Sequence, residues 1–295
     1  MTKRNFFPAE CLVILLIISA VLCHPLLARA AKYEPVDNKI FHGVCLNPES
    51  AAFVDNVNQY KKITGQKPAV ITYFAHVWSK GKYLDWNYYG KLLYKVDSVG
   101  AIPFVKATTA DWDKTTGLWW LADDILSGKY DSYFIKAADA AKEFKKPMFV
   151  SWNHEMNGDW YPWSEAYSIK YPGTSDWTAA KYVKVWQYIV KIYRQRGANN
   201  VAFAWAPDVE GRSLYNYKAN DSWKAYWPGD EYIDWITPSL YNNIDPFTLD
   251  SLANGNKGKP VMISEWGTCA DRQKWYRPIY PGDAAWIKRF FEAVL

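Results

Sequence analysis

The run Pro147-Met148-Phe149-Val150, followed by Trp152-Asn153-His154-Glu155-Met156-Asn157-Gly158-Asp159-Trp160-Tyr161-Pro162-Trp163, decides how this chain is read. Four apolar residues of strand length deliver a carboxylate, Glu155, into a loop crowded with Trp and Tyr. The design recurs in Pro260-Val261-Met262-Ile263-Ser264-Glu265-Trp266-Gly267. Each glutamate ends an apolar run and has tryptophan close by. A pair of carboxylates under aromatic side chains is the equipment that cuts glycosidic bonds.

Working outward, apolar runs of strand length appear at 41–46, 69–74, 101–105, 148–152, 201–205, 235–240 and 261–264. Most are apolar throughout, as strands covered on both faces should be. Helical patterns fall between them, at 52–63, 88–99, 130–144 and 178–194. The last carries Tyr182, Val185, Trp186, Ile189 and Ile192 on one face, with Ser175-Asp176 as its expected cap. Asp283 opens a further pattern with Ala284, Ile287, Phe290 and Phe291. Alternation of this kind means a parallel sheet with right-handed crossovers. The long connections, 75–87, 106–120, 153–175, 206–232 and 265–282, all follow strands. That asymmetry belongs to an α/β (β/α)8 TIM barrel with function at its C-terminal face. A doubly wound open sheet is the alternative, but no G-x-G-x-x-G or Walker motif follows the first strand. Seven strands are counted, so the barrel is expected to be truncated after its seventh βα unit, or open between strands seven and one.

Residues 1–30 read as a signal peptide. Lys3 and Arg4 form the basic region, Leu12 to Leu22 the apolar region, and Ala28-Arg29-Ala30 the cleavage site. A retained anchor is the alternative. Residues 31–295 are then one catalytic domain, in a secreted or periplasmic protein with no membrane contact after cleavage. The chain carries a net charge of +5. Lys3, Arg4, Arg29 and Glu10 leave with the leader, which brings the charge to about +3 without a basic block, so nucleic acid is not a partner. A monomer is expected. Cys45 and Cys269 remain after cleavage, as a disulfide or as buried thiols. His42, His76 and His154 show no metal-binding spacing, and no metal or cofactor is expected. No G-x-S-x-G elbow supports a serine triad.

Glu155 and Glu265 lie on strands four and seven, which are nearly opposite in an eight-strand barrel. One must be protonated to serve the leaving oxygen; the other, ionised, attacks the anomeric carbon or activates water. Burial among aromatic side chains suits Glu155 to the acid role. The 17 Trp and 22 Tyr of this chain, many of them in polar stretches, offer faces on which sugar rings stack.

The segment from His154 to Gly158 with Trp160, the segment from Tyr226 to Ile236, and Lys259 to Gly267 together make the chain similar to glycoside hydrolase family 26. This is the β-mannanase and lichenase family of the large TIM-barrel glycosidase clan. Asp124 to Asp131 matches its helix before strand four. The resemblance implies a retaining O-glycosyl hydrolase with Glu155 as proton donor and Glu265 as nucleophile. It implies hydrolysis of β-1,4-mannan or a related β-linked polysaccharide. Mixed-linkage β-1,3-1,4-glucanase or β-xylanase action is the alternative, and a catalytically impaired glycan-binding protein is the alternative of another class. Substrate-binding residues on this reading are His154, Trp160, Tyr241, Trp266, His76, Asn157 and Trp205. Three departures stand out. Ser239 occupies a position where mannan-cutting members often carry Asp, Asp208 one where Asn is common, and the eighth strand with its subsite tryptophan is not found.

Overall fold

A computed structural model describes residues 32–35, 40–79, 82–111, 117–208, 223–241 and 258–267. Its strands are β1 (Gly43–Cys45), β2 (Val70–Ser79), β3 (Lys82–Tyr83), β4 (Ile102–Asp111), β5 (Met148–Trp152), β6 (Val201–Trp205), β7 (Trp235–Ile236), β8 (Ser239–Tyr241) and β9 (Glu265–Gly267). The main sheet runs β1-β2-β4-β5-β6-β7, with every neighbour parallel. β3 is a short antiparallel return on β2. β8 continues the line of β7 past Pro238 and pairs with β9, and Ile236 bridges Val261. The seven expected parallel positions are therefore all occupied, in chain order around the curve of a TIM barrel. The pattern at 283–295 and the place of an eighth strand lie outside the described residues, as does the leader.

Helices cover the outer face: α1 (Phe53–Thr64), α2 (Trp86–Asp97), α3 (Ala122–Leu126), α4 (Asp131–Phe144), α5 (Glu165–Lys170) and α6 (Ala179–Arg196). α6 buries Tyr182, Val185, Trp186, Ile189 and Ile192, the face its periodicity marked. Its start differs from expectation. Thr178 is the cap and accepts from Lys181 N, while Asp176 reaches back to accept from the N–H groups of Ala122 and Asp123 at the head of α3. Asp176 is thereby committed to the first turn of α3, and Thr178 is left to cap α6. α6 ends at Gly197, whose φ of 77° is a conformation that favours glycine and whose N–H closes the helix on the Tyr193 and Arg194 carbonyls. Among the described residues no helix is long and apolar enough to cross a membrane.

Strand parity separates two cores. Ile71, Tyr73, Val105, Val150, Phe203 and Trp205 face the helices. Val70, Phe104, Phe149, Ala202, Ala204 and Trp235 fill the barrel interior at its N-terminal end. Above that plug the interior turns polar: Lys106, Thr108, Ser151, Thr237 and Ser239 are all buried. This gradient explains why the strands outrun their apolar stretches. β2 continues to Ser79 and β4 to Asp111, beyond the limits at 74 and 105 that hydrophobicity alone suggests. The interior positions past those limits are polar because they line the functional end of the barrel.

Phe149 is the centre of the plug, with ring centroids 5.9 Å from Phe104, 5.5 Å from Trp235 and 6.1 Å from Tyr33. Phe149→Ala is expected to cost about 3–5 kcal/mol. Urea denaturation of the two proteins measures it, and a loss below about 1 kcal/mol would contradict this packing.

Candidate active site

The loop that carries Glu155 is held from both sides. Asn153 N donates to Ala107 O at 2.8 Å, and Asn153 Oδ1 accepts from Thr109 N at 2.9 Å, which ties the loop to β4. On the other side Glu155 N donates to Ala206 O at 2.6 Å. Asn157 grips the backbone of Asp208, donating to its carbonyl at 2.8 Å and accepting from its N–H at 2.9 Å. Asn153 and Glu155 each have φ of 52°. Left-handed backbone at a non-glycine residue costs of order 1–3 kcal/mol and persists where surrounding contacts over-determine it. These bonds do so here, and they aim the Glu155 carboxyl.

Glu155 is 7% exposed. Trp160 Nε1 donates to its Oε2 at 2.8 Å. Burial raises the Glu155 carboxyl above its ordinary range, and the negative charge of Glu265 adds to that. Lys106, Ser239 and Trp160 oppose the rise. The indole seat depends on Gly158: a Cβ there would lie 2.5 Å from Trp160 Cζ2.

Glu265 has the opposite setting. Its side chain is 17% exposed and its Oε1 accepts from Lys106 Nζ. Lys106 is completely buried, in the middle of β4. Its ammonium also donates to Ser264 Oγ at 3.0 Å, and Ser264 Oγ donates to Thr237 O at 2.7 Å. The aromatic rings of Phe74 and Phe104 lie 6.0 and 5.9 Å from the charge. A cation so placed favours the ionised form of the carboxyl it touches. Sequence reading missed Lys106, because 106 was taken as the first loop residue. The alternation Phe104, Lys106, Thr108 was the available signal, once these are read as one inward-facing row.

The other anticipated residues fall into two groups. His76 lies on β2 beside Thr108, with Nδ1 2.7 Å from Thr108 Oγ1 and its ring stacked on Phe74. Burial lowers its pKa to about 4, against a smaller opposing effect of Asp111, so the ring is neutral at neutral pH. His154 is buried; its Nε2 is 3.2 Å from Tyr161 Oη, and its ring lies 5.4 Å from that of Phe74. Trp266 is 42% exposed beside Glu265, an aromatic face open to solvent. These three and Trp160 gather near the carboxylates. Asn157 and Trp205 are differently employed. Asn157 serves as the loop clamp described above. Trp205 is 0% exposed on the helix side of β6, its ring 5.2 Å from that of Trp227 and 6.2 Å from that of Trp223. Tyr241 ends β8, and its side chain lies outside the described residues, as does Cys269. Cys45 ends β1 as a free thiol that is exposed as a residue; desolvation of its sulfur and the charge of Glu265 raise its pKa, against a smaller lowering by Lys106. Among the described residues no group of His, Cys, Asp or Glu is arranged to hold a metal ion.

A TIM-barrel sheet with two carboxyls in contrasting surroundings at the C-terminal ends of its strands is the arrangement found among glycoside hydrolases. The profile of glycosyl hydrolase family 26 matches residues 93–262, a span that contains Glu155 and stops just before Glu265, and the chain belongs to that family. It is 26% identical over 240 residues to endoglucanase H of Acetivibrio thermocellus, covering 76% of this chain and 24% of that protein. It is 31% identical over 119 residues to mannan endo-1,4-beta-mannosidase A and B of Caldalkalibacillus mannanilyticus, covering 39% of this chain and 20% of that protein. The chain thus spans about a quarter or less of these relatives. In fold it is similar to the GH26 domain of an endo-beta-mannanase/endo-beta-glucanase from Prevotella bryantii, with TM-score 0.55 and 16% identity over 86% of this chain and 89% of that one.

The raised Glu155 carboxyl has a consequence for stability. A carboxyl whose folded-state pKa lies above its unfolded value favours folding only where it is protonated, and the advantage is lost as pH rises through the folded pKa. Glu155→Gln is therefore expected to melt higher than the parent protein at neutral pH. The gap should shrink as pH falls from neutral through the raised folded-state pKa and be gone below 4.5, the ordinary value for this group. Differential scanning calorimetry across that range measures it; a gap independent of pH would contradict the assignment.

Proposed function

We propose that this chain is the catalytic part of a secreted, retaining endo-β-glycanase acting on β-1,4-mannan or a related β-linked polysaccharide. The observation that carries the reading is the contrast between the two glutamates. Glu155 is buried, favours its protonated form and has an indole donor fixing its orientation. Glu265 touches a buried ammonium. One fold thereby keeps an acid and a carboxylate side by side in function, which the chemistry demands.

In the first step Glu265 Oε attacks the anomeric carbon, the bond to the leaving oxygen breaks, and the Glu155 proton passes to that oxygen. In the second, water adds to the anomeric carbon and gives its proton to Glu155. The bond to Glu265 breaks as the water oxygen bonds the carbon, and its electron pair returns to the carboxylate. Trp160 and Trp266 offer faces for sugar rings, and the rings of neutral His76 and of His154 offer nitrogens for hydroxyls. Both residues 31–295 as the mature domain and the activity of that domain belong to this proposal.

Mixed-linkage β-glucan is the second reading. Ser239 supports it: it is fully buried, next to Glu155, and too short to reach a sugar hydroxyl as a longer acidic side chain would. The names of the two relatives point to both glucan and mannan. Hydrolysis of mannan, mixed-linkage glucan and xylan by the purified protein separates these readings, and no release of sugar from any of them overturns the proposal.

The division of roles has its own test. Glu265→Ala should abolish turnover of every substrate. Glu155→Ala should lose activity on polysaccharide but keep part of it on an aryl glycoside whose leaving group needs no proton. Azide should restore turnover to Glu265→Ala with inverted product. Equal losses of the two variants on the aryl glycoside would refute the assignment.

A further inference from the structure

We propose that Lys106 is a positioning residue for the nucleophile, holding the Glu265 carboxylate in place before attack and driving its release from the sugar afterwards. The inference rests on the two-glutamate reading above. It starts from an unusual placement: an ammonium with no solvent exposure in the middle of a barrel strand. Among the described residues one anion is in direct contact with it. Nζ touches Glu265 Oε1 and Ser264 Oγ, and beyond these it meets the aromatic rings of Phe74 and Phe104. Ser264 is itself committed, since its hydroxyl proton goes to Thr237 O. Among the described residues the titratable groups that act on the pair from other strands are Glu155, after β5, and Cys45, at the end of β1.

This arrangement has different consequences in the two halves of the reaction. With Glu265 ionised, the pair is neutral and the carboxylate is pinned by a bond that links β4 to β9 across the barrel. When Glu265 Oε has bonded the anomeric carbon, the carboxylate has become a neutral ester. Lys106 then loses the one anion it touches among the described residues and is left with Ser264, two ring faces and the through-space charge of the Glu155 carboxylate, which is costly in a low-dielectric interior. The cost vanishes when water takes the sugar and the electron pair returns to Glu265. The same cation favours the ionised form of Glu155 in the intermediate, the form that can accept a proton from water. Lys106 thus favours the acid state of neither carboxyl, and its influence is strongest after the sugar has been captured.

The test compares Lys106→Met, Lys106→Gln and Lys106→Arg with the parent protein. On an activated aryl β-glycoside, for which release of the intermediate limits turnover, kcat of the Met and Gln variants should fall at least tenfold. The covalent glycosyl-enzyme should accumulate in their intact mass spectra. The acidic limb of kcat/KM should move to higher pH, while Lys106→Arg keeps the parent limb. A merely structural lysine would lower the active fraction without moving the limb or the intermediate. A substrate-free arm reads the pair directly. In 13C-glutamate NMR, the Glu265 carboxyl, assigned through Glu265→Gln, should titrate at lower pH in the parent than in Lys106→Gln. Identical Glu265 titration in a folded variant, or loss of activity with neither accumulation nor a moved limb, overturns the inference. Should both uncharged variants fail to fold, Ser264→Ala, which loosens Nζ without removing its charge, must show the same intermediate accumulation. A parent protein inactive on every β-glycan defeats the function proposed above, while the titration still decides whether Lys106 controls Glu265.

Discussion

A single buried charge organises the functional end of this barrel. Removing one partner from a buried ion pair typically costs about 3–5 kcal/mol, so Lys106 requires Glu265 as much as Glu265 uses Lys106. The bond joins strands that are not neighbours in the sheet, β4 and β9, and Ser264 relays it to the carbonyl at Thr237. In the upper interior Lys106, Ser264 and the Thr237 carbonyl satisfy one another. Below them, Phe149 and its neighbours exclude water and give the sheet a dry base.

The second constraint is the fastening of the loop after β5. Asn153 binds β4, the Glu155 backbone binds the carbonyl that follows β6, and Asn157 locks onto Asp208. Two residues of this loop sit in the left-handed region. The sheet supplies the rigidity that this conformation needs, and in return the loop presents Glu155 under the Trp160 indole. Gly158 belongs to the same constraint, since only a hydrogen at that position leaves room for the ring. Asn157 therefore contributes to the site through backbone geometry, although its type suggests a sugar contact.

Much of the architecture was legible in the chain. The seven strand positions, the alternation with helices and the buried face of α6 follow from apolar periodicity, because burial on both sheet faces demands it. The pair Glu155 and Glu265 was legible because each ends an apolar run, and strand ends on one face of a barrel converge. Strand lengths were not legible. β2 and β4 continue through polar residues, and hydrophobicity cannot distinguish a polar interior position from a loop. The cap of α6 was misplaced by three residues or fewer because Asp176 had a better use against α3.

Trp205 and Lys106 mark the limit most clearly. Both stand on strands, and residue type would send the tryptophan to the cleft and the lysine to solvent. Strand parity does the reverse: Trp205 faces the helices and Lys106 faces the barrel axis. The sequence by itself determined the fold class, the order of elements and the two carboxylates, since these depend on composition and periodicity along the chain. Only the tertiary structure decided which face each strand residue meets and which anion neutralises Lys106. Those depend on register and curvature, which bring residues 106 and 265 into contact across 159 positions of sequence.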